Sequence, residues 1–369
     1  MYLTNETIEE LHVETTNKCN AACPMCDRNI FGGIDKPGKG FSEWSLEDID
    51  SVFTGLPNLK FVYFCGTHGD PLASKHIFEA IHAVKKLGAR IEMFTNGSLK
   101  TQNWWHKLIS ILDERDRITF GVDGLETNHL YRQNTDINKI VSHMKIATAS
   151  KVKVRWDFLA FKHNEHELEN CKKFAKEIGV TNFRVRRTAR FDLYSPWPVI
   201  NQNDKLTHYL EIPSDPELIH PSLKDLQSLQ NKKINMTNTS DREIIIQRMK
   251  NRKTNYMLDS DPIVDSNNWK INCMYKEAKK IYVNSRLDVF PCSYISDSNE
   301  TFKALTPQEL KYPEGELNLK TKTWKEVLDH KFYAKDLVES FTNDNIIPRC
   351  IRTCGVVERI YQQNLRIEE

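Results

Sequence analysis

Three cysteines lie within eight residues near the start of the chain, in the pattern C-x3-C-x2-C: Cys19, Cys23 and Cys26. Three neighbouring thiolates can hold an iron–sulfur cluster through three of its irons, which leaves the fourth iron open to bind a small molecule and react with it. Zinc is the main alternative, but a structural zinc site needs four ligands. The nearest further candidates, His12 and Cys65, lie on the strand side and far along the chain. The spacing therefore favours a cluster with one open iron.

Four more cysteines stand in the last hundred residues of the sequence: Cys273, Cys292, Cys350 and Cys354. A predicted β-hairpin separates the first two, and only three residues separate the last two. Four thiolates satisfy a cluster completely, so a cluster held by this set suits electron transfer or structure rather than substrate binding. A zinc ion held by the same four thiolates is the alternative.

The bulk composition excludes several classes of protein. With 369 residues, 39% hydrophobic and 28% charged, the chain has the composition of a globular protein with room for two domains. A net charge of +2 gives no strong field toward nucleic acid or membrane, and we expect neither as a partner. The N-terminus has no signal peptide, and no apolar run is long enough to span a bilayer. Nine cysteines without a secretion signal indicate metal or redox chemistry in a reducing cytoplasm.

Strand-like and helix-like segments alternate from residue 10 to about residue 190. The periodicity predicts strands at 11–14, 59–65, 90–94, 117–122, 152–161 and 182–187, with helices between them and Asn164 as the cap of one helix. Six consecutive βα units require a parallel sheet, either open and doubly wound or a partial barrel. Both architectures place functional groups at the C-terminal ends of the strands, where the first three cysteines stand.

The pattern changes after residue 190. Residues 191–270 are rich in proline and polar residues but contain tryptophan and tyrosine, which favours an ordered insertion over the mouth of the sheet rather than a disordered linker. A helix-like run is present at 241–250. A β-hairpin at 280–283 and 287–290 follows, then a helix at 323–338. The predicted domains are 1–190, 191–270 and 271–369.

Taken together, these motifs resemble the radical S-adenosylmethionine (SAM) enzymes, whose defining motif is the C-x3-C-x2-C loop. The segment from Cys65 to Pro71 is similar to the family's Gly-Gly-Glu-Pro segment, which holds the amino group of the cofactor. Asp70 stands in place of Glu, and Met25 in place of an aromatic residue before the third cysteine. The resemblance implies cofactor contacts at the ends of the second to fourth strands: Gly69, Asp70, Pro71, Thr95, Asn96, Asp123 and Arg132. Among these, Arg132 suits the methionine carboxylate.

The C-terminal region resembles the twitch domain, the short form of the SPASM extension, which carries one auxiliary [4Fe–4S] cluster. The resemblance implies an α/β fold, a partial (β/α)6 TIM-like barrel followed by a small α+β domain with a β-hairpin. It further implies two [4Fe–4S] clusters and S-adenosylmethionine as cofactor or cosubstrate. A 5′-deoxyadenosyl radical would abstract hydrogen from the substrate, and an external one-electron reductant similar to flavodoxin or ferredoxin would supply the electron.

Candidate substrate contacts lie at the strand ends of the predicted barrel. Arg184 and Arg186 share one face of the sixth strand and would hold a phosphate or carboxylate, unless they form a solvated edge or internal ion pairs. Trp156 either lines the same pocket or belongs to the core. His68 is either a proton acceptor beside the cofactor or a polar loop contact. Cys65 is either a hydrogen-atom donor or a core residue.

Three functions are compatible with these features. The first is oxidation or a related radical modification of a small molecule, such as a sugar or cyclitol derivative. The second is modification of a peptide or protein side chain. The chain starts almost at its first strand, with no room for an N-terminal leader-peptide-binding domain, and this favours the first. The third, a non-catalytic iron–sulfur or zinc protein, leaves the strand-end motifs unexplained.

Overall fold

The computed structural model describes residues 1–35, 40–192, 195–203, 205–221, 223, 271–296, 315–341, 347, 350, 353 and 354. Its strands in chain order are β1 (Glu10–Val13), β2 (Asn29–Ile30), β3 (Ile34–Asp35), β4 (Phe61–Phe64), β5 (Arg90–Thr95), β6 (Arg117–Gly121), β7 (Lys153–Leu159), β8 (Asn182–Arg186), β9 (Trp197–Ile200), β10 (Leu206–Leu210), β11 (Lys280–Val283) and β12 (Val289–Phe290). Its helices are α1 (Leu46–Phe53), α2 (Ile77–Lys86), α3 (Gln102–Ile111), α4 (Asn128–Tyr131), α5 (Ile137–Thr148), α6 (Leu168–Glu177), α7 (Met274–Glu277), α8 (Trp324–Leu328) and α9 (Leu337–Glu339).

An eight-stranded sheet organises the chain, in the order β12-β11-β1-β4-β5-β6-β7-β8. The six strands from β1 to β8 in this order pair in parallel, which confirms the predicted α/β partial barrel. The hairpin of β11 and β12 was predicted from the sequence, but its place was not. It joins the barrel sheet itself, because β11 pairs in parallel with β1 along its whole length.

The helices cover one face of this sheet, and strand alternation decides which side chains they bury. Phe120 of β6 stacks on Trp105 of α3, with ring centroids 5.3 Å apart, so this face of β6 points at the helices. The residues on either side of Phe120, Thr119 and Gly121, therefore point to the other face, which we call the inner face. Any register partner of Phe120 shares the helix-facing side.

Two local predictions from the sequence differ in part from the structure. The helix predicted at 323–338 is broken into α8, a π-helical turn at Phe332–Asp336 and α9. Asn164 is the N-cap residue of the 3₁₀ turn Glu165–Glu167 before α6, but its side chain makes no cap hydrogen bond. Its amide instead donates to the carbonyl oxygens of Asp123 and Leu159, both at 3.0 Å, and therefore braces two strand ends. The helix predicted at 241–250 lies outside the described residues.

The first part of the predicted insertion is an ordered hairpin of β9 and β10. It packs on the cysteine loop: the Trp197 indole donates to the Pro24 carbonyl at 3.2 Å, and the Ile200 amide donates to the Phe31 carbonyl at 2.8 Å. Residues 224–270 lie outside the described part of the chain, so the domain boundaries at 190 and 270 stay predictions. In the described residues, no helix has the length and apolar character needed to cross a bilayer.

Because β11 is part of the barrel sheet, a cavity made in it should weaken the whole fold. Ile281 of β11 is fully buried and is the register partner of Leu11. We expect Ile281→Ala to lower the free energy of unfolding by about 3 kcal/mol in urea denaturation. Leu87→Ala is the control, because Leu87 is 43% exposed and its replacement should change the free energy of unfolding only slightly. A separate early transition for Ile281→Ala, with the main transition unchanged, would contradict a shared sheet.

Candidate functional site

The cysteine loop leaves the C-terminal end of β1, as predicted, and main-chain hydrogen bonds fix its course. The Cys26 amide donates to the Cys23 carbonyl at 3.0 Å, which closes a tight turn around the last two thiols. The Ala22 amide donates to the Gln133 carbonyl at 3.0 Å, and the Asn29 side chain donates to the Cys23 carbonyl at 3.1 Å. All three thiols are free. The loop therefore holds its sulfur atoms without any disulfide.

The surroundings of these thiols suit an anionic cluster. Burial raises the pKa of all three, that of Cys23 to about 12, while Arg132 and Arg28 act on Cys23 in the opposite direction. Arg28 and Arg190 act in the same way on Cys26. Buried thiols give up their protons to a metal centre, and nearby guanidinium groups favour the resulting negative charge. The donor set therefore fits a cluster held by three thiolates.

Asp70 is the centre of a hydrogen-bond network between three strand ends. Its carboxylate is 4% exposed and accepts from the Leu72 amide, the Thr95 hydroxyl, and both the amide and the side chain of Asn96, at 2.9 to 3.0 Å. The Asn96 side chain also lies 3.6 Å from the Cys19 sulfur. A carboxylate has about four lone-pair sites, and these protein donors fill them. The structure thus shows that Asp70 positions its neighbours, and the cofactor contact that the resemblance implies at Asp70 stays a prediction.

The loop before Asp70 is packed too tightly for side chains. A Cβ added to Gly69 would lie 1.8 Å from the Thr16 carbonyl oxygen, so glycine is required for this loop to approach the cysteine loop. Pro71 begins a 3₁₀ turn at Pro71–Ala73, for which Asp70 is the cap. The predicted contacts Gly69, Asp70 and Pro71 are thus brought against the residues that precede Cys19.

Glu14 is a site residue that the sequence interpretation missed. It follows β1, is 3% exposed, and accepts hydrogen bonds from the amides of His68 and Gly69 at 2.7 and 2.9 Å. Its other oxygen lies 4.0 Å from the His68 ring and accepts from the Tyr282 hydroxyl at 3.3 Å. The sequence did contain a signal for this role, because Glu14 is a carboxylate at the end of an apolar strand, shortly before the cysteine motif. His68 is therefore engaged with Glu14 through both its amide and its ring.

Asp123 and Arg132 form a buried ion pair at the end of β6. The Arg132 Nε donates to Asp123 at 2.7 Å, and the other Asp123 oxygen accepts from the Leu159 amide at 2.7 Å. Burial raises the pKa of Asp123, and Arg132 opposes this rise. The guanidinium lies across Gly121, where a Cβ would come within 2.7 to 3.0 Å of it. Two residues that were predicted as separate cofactor contacts are therefore joined in one ion pair, and Gly121 makes room for it.

Trp156 belongs to the core. It is the register partner of Phe120, so it faces the helices, and its indole donates to the Val122 carbonyl at 2.8 Å. Its exposure is 0%. The core interpretation of Trp156 is therefore correct, and its use as a pocket residue is excluded because strand parity turns it away from the inner face.

The two arginines of β8 differ in their surroundings. Arg184 pairs with Asp157 of β7 through two hydrogen bonds, at 2.9 and 2.5 Å, so its charge is already balanced on the inner face. Arg186 lies two residues further toward the strand end and shares that face by alternation. Within the described residues, no hydrogen bond or ion pair engages its guanidinium. Of the two, Arg186 is the one whose charge is open to a ligand.

The four C-terminal cysteines line one cavity. Its walls are the thiols of Cys273, Cys292, Cys350 and Cys354 together with Tyr275, Pro291, Ile295, Leu337 and Phe341. The Tyr2 hydroxyl lies 3.4 Å from the Cys273 sulfur. A hydrogen bond from Cys354 lowers the pKa of Cys273. A mostly apolar cavity lined by four cysteines is compatible with a fully ligated cluster. Among the described residues, no three His, Cys, Asp or Glu side chains are grouped as ligands of a single metal ion.

Comparison with known proteins relates the barrel to a known family. Residues 13–175 match the family model described as the radical SAM superfamily. A tungsten-containing aldehyde ferredoxin oxidoreductase cofactor-modifying protein of Pyrococcus furiosus is 24% identical over 55% of this chain and 62% of its own length. A protein of Sulfurisphaera tokodaii, described as a probable GTP 3′,8-cyclase, is 26% identical over 48% of this chain and 56% of its own length. The matches thus span less than two thirds of these relatives.

Solved structures show the same fold over most of the chain. Streptococcus suis SuiB bound to its precursor peptide SuiA has a TM-score of 0.53 and 14% identity, covering 89% of this chain and 66% of SuiB. The structure of SuiB bound to S-adenosylmethionine gives a TM-score of 0.50 and 15% identity, covering 89% of this chain and 67% of SuiB. At this identity the likeness concerns the fold alone.

The close approach of Arg132 to Gly121 gives a test of the Asp123 pair. Gly121→Ala should push the guanidinium away from its place and weaken S-adenosylmethionine binding to the reconstituted protein about tenfold, the effect of losing a charged hydrogen bond. Gly40→Ala is the matched control, because no atom lies within 4 Å of its added Cβ. Equal affinities in equilibrium dialysis for the two variants would contradict a role for Arg132 in binding.

Proposed function

We propose that the chain is a radical SAM enzyme that cleaves S-adenosylmethionine reductively and removes a hydrogen atom from a small polar substrate. The observation that carries this proposal is the contact of Asn96 with both Asp70 and the Cys19 sulfur. It joins the three-thiol loop to the strand-end loops of a radical SAM domain. A non-catalytic cluster protein has no need of that connection.

The residues present fit two clusters of different kinds. Cys19, Cys23 and Cys26 would hold a [4Fe–4S] cluster with one open iron, and the four C-terminal cysteines would hold a fully ligated one. The cluster on Cys19, Cys23 and Cys26 would bind S-adenosylmethionine at its open iron and supply the electron for reductive cleavage of the sulfonium to a 5′-deoxyadenosyl radical. An external reductant similar to flavodoxin or ferredoxin would provide that electron.

The chain's own residues orient the cofactor and shield it from water. Asp70 fixes Thr95 and Asn96, and so fixes the end of β5 against the cysteine loop. Arg132, held by Asp123, offers its remaining N–H groups to the carboxylate of the methionine moiety. The hairpin of β9 and β10 covers the cysteine loop from outside, which keeps water away from a reactive centre.

The substrate we propose is a sugar or cyclitol derivative with an anionic group. The inner face at Asp157 and Arg184 is charge-balanced and offers hydrogen-bond donors and acceptors to hydroxyl groups. Arg186, nearer the strand end, would hold a phosphate or carboxylate. The relative described as a probable GTP 3′,8-cyclase is named for a phosphorylated small molecule, which agrees with this class.

The cluster assignment predicts a specific iron content. After anaerobic reconstitution, the protein should contain about eight irons and produce 5′-deoxyadenosine when reduced. Cys19→Ala should lose about four irons and all cleavage, whereas Cys273→Ala should lose about four irons but still bind S-adenosylmethionine. Cys171→Ala is the control, because Cys171 is buried in the core, and it should keep both clusters. Two zincs per chain and no cleavage would rule out the enzyme.

The substrate class can be tested by its stimulation of S-adenosylmethionine cleavage. We expect sugar phosphates or sugar acids to increase 5′-deoxyadenosine formation more than neutral cyclitols or peptides do. Arg186→Gln should raise the concentration needed for half-stimulation about tenfold, because a charged hydrogen bond is lost. Arg187 lies on the opposite face of the chain by strand alternation, so Arg187→Gln should leave this concentration unchanged. Stimulation by peptides alone would favour a peptide-modifying enzyme instead.

A further inference from the structure

The loop at residues 65–69 is tied to the C-terminal domain by two separate hydrogen-bond chains. The first runs through Glu14. The Tyr282 hydroxyl, on β11, donates to one Glu14 oxygen at 3.3 Å and lies 3.2 Å from the Thr67 hydroxyl. The other Glu14 oxygen accepts the His68 and Gly69 amides. One side chain of the C-terminal hairpin therefore reaches the loop both directly and through a buried carboxylate.

The second chain runs through His12, on the inner face of β1. One ring nitrogen of His12 lies 2.7 Å from the Cys65 carbonyl oxygen, and the other lies 2.8 Å from the Tyr275 hydroxyl. The carbonyl can only accept, so the first nitrogen carries the proton and the second accepts from Tyr275. Tyr275 is in turn 2.9 Å from the Ser293 hydroxyl. The chain thus ends beside Cys292, at the wall of the four-cysteine cavity.

The close packing of the loop at residues 65–69 around Glu14 agrees with these two hydrogen-bond chains. A Cβ at Gly66 would lie 2.6 Å from the Glu14 carboxylate and 2.4 Å from the Gly69 carbonyl oxygen. The loop is therefore folded closely around Glu14, which supplies the acceptor for two partly buried amides. An unsatisfied buried N–H is costly, so the loop's shape depends on where this carboxylate is held.

We propose that Glu14 is a positioning residue for the cofactor-binding loop, and that Tyr282 and Tyr275 let the C-terminal domain set the geometry of that loop. The proposal rests on the proposed function for the identity of the cofactor, but not for the contacts themselves. It gives the C-terminal domain a second role besides holding its four thiols. A change in the packing of that domain, including the packing around the four-cysteine cavity, therefore changes the conformation of the loop that follows β4.

The direct test is hydrogen exchange of the peptide that contains His68 and Gly69, measured without added S-adenosylmethionine. Tyr282→Phe should speed exchange of these amides about tenfold, and Glu14→Gln should have at least that effect. Tyr333→Phe is the matched control. Tyr333 is buried in the same domain and its hydroxyl donates to the Val289 carbonyl of the same hairpin at 2.9 Å, but the bond does not lead to the loop. Equal exchange in Tyr282→Phe and Tyr333→Phe would overturn the proposed link.

The second measurement is equilibrium binding of S-adenosylmethionine to the oxidised, reconstituted variants, with iron content as a check that both thiol sets are filled. Tyr282→Phe should bind about tenfold more weakly than Tyr333→Phe. Faster exchange with unchanged affinity would overturn the role in cofactor binding. If the unsubstituted protein binds no S-adenosylmethionine, the proposed function is wrong, while the exchange comparison still decides whether the C-terminal domain holds the loop.

Discussion

The candidate site depends on a single buried carboxylate, that of Asp70. Removal from water raises its pKa, and the donors from Asn96, Leu72 and Thr95 compensate for that burial. A buried charge is tolerated only when its hydrogen bonds are made, so these donors have little freedom to move. These hydrogen bonds hold the loop after β4 against the end of β5. The Asn96 side chain also contacts the Cys19 sulfur, which adds the cysteine loop to the same network. This group therefore helps to hold the cysteine loop over the sheet, together with the main-chain hydrogen bonds of the loop itself.

Much of this arrangement was predictable from the sequence because the signals are local. Helical and strand periods gave the order of the βα units, and parallel strands must end at the same edge. Asn96 directly follows β5, and Asp70 and Asp123 stand in the loops after β4 and β6, so their convergence at one edge of the sheet needed no knowledge of side-chain packing. The three cysteines lie in one loop, and their spacing alone restricts what they can bind. Predictions of this kind use only chain order and strand direction.

The alternatives that stayed open in the sequence, and the contacts that it did not indicate, depend on pairing between distant segments. The direction of Trp156 depends on its register with Phe120, and a shift of one residue would have reversed it. The Arg184 charge is balanced by Asp157, 27 residues earlier in the chain, which only strand pairing brings close. Glu14 acquires its role from Tyr282, 268 residues later. Propensity and periodicity carry no information about such partners.

The position of β11 beside β1 changes how the domain organisation should be understood. A partial barrel that ended at β1 would leave an unpaired parallel edge, with its N–H and C=O groups open to other chains. β11 covers this edge, so the C-terminal region completes the sheet as well as carrying four thiols. The same pairing places Tyr282 next to His12 and within reach of Glu14. Because one strand both completes the sheet and contacts the site, the C-terminal region cannot be treated as an appended module: its folding and the shape of the loop at residues 65–69 share the same contacts.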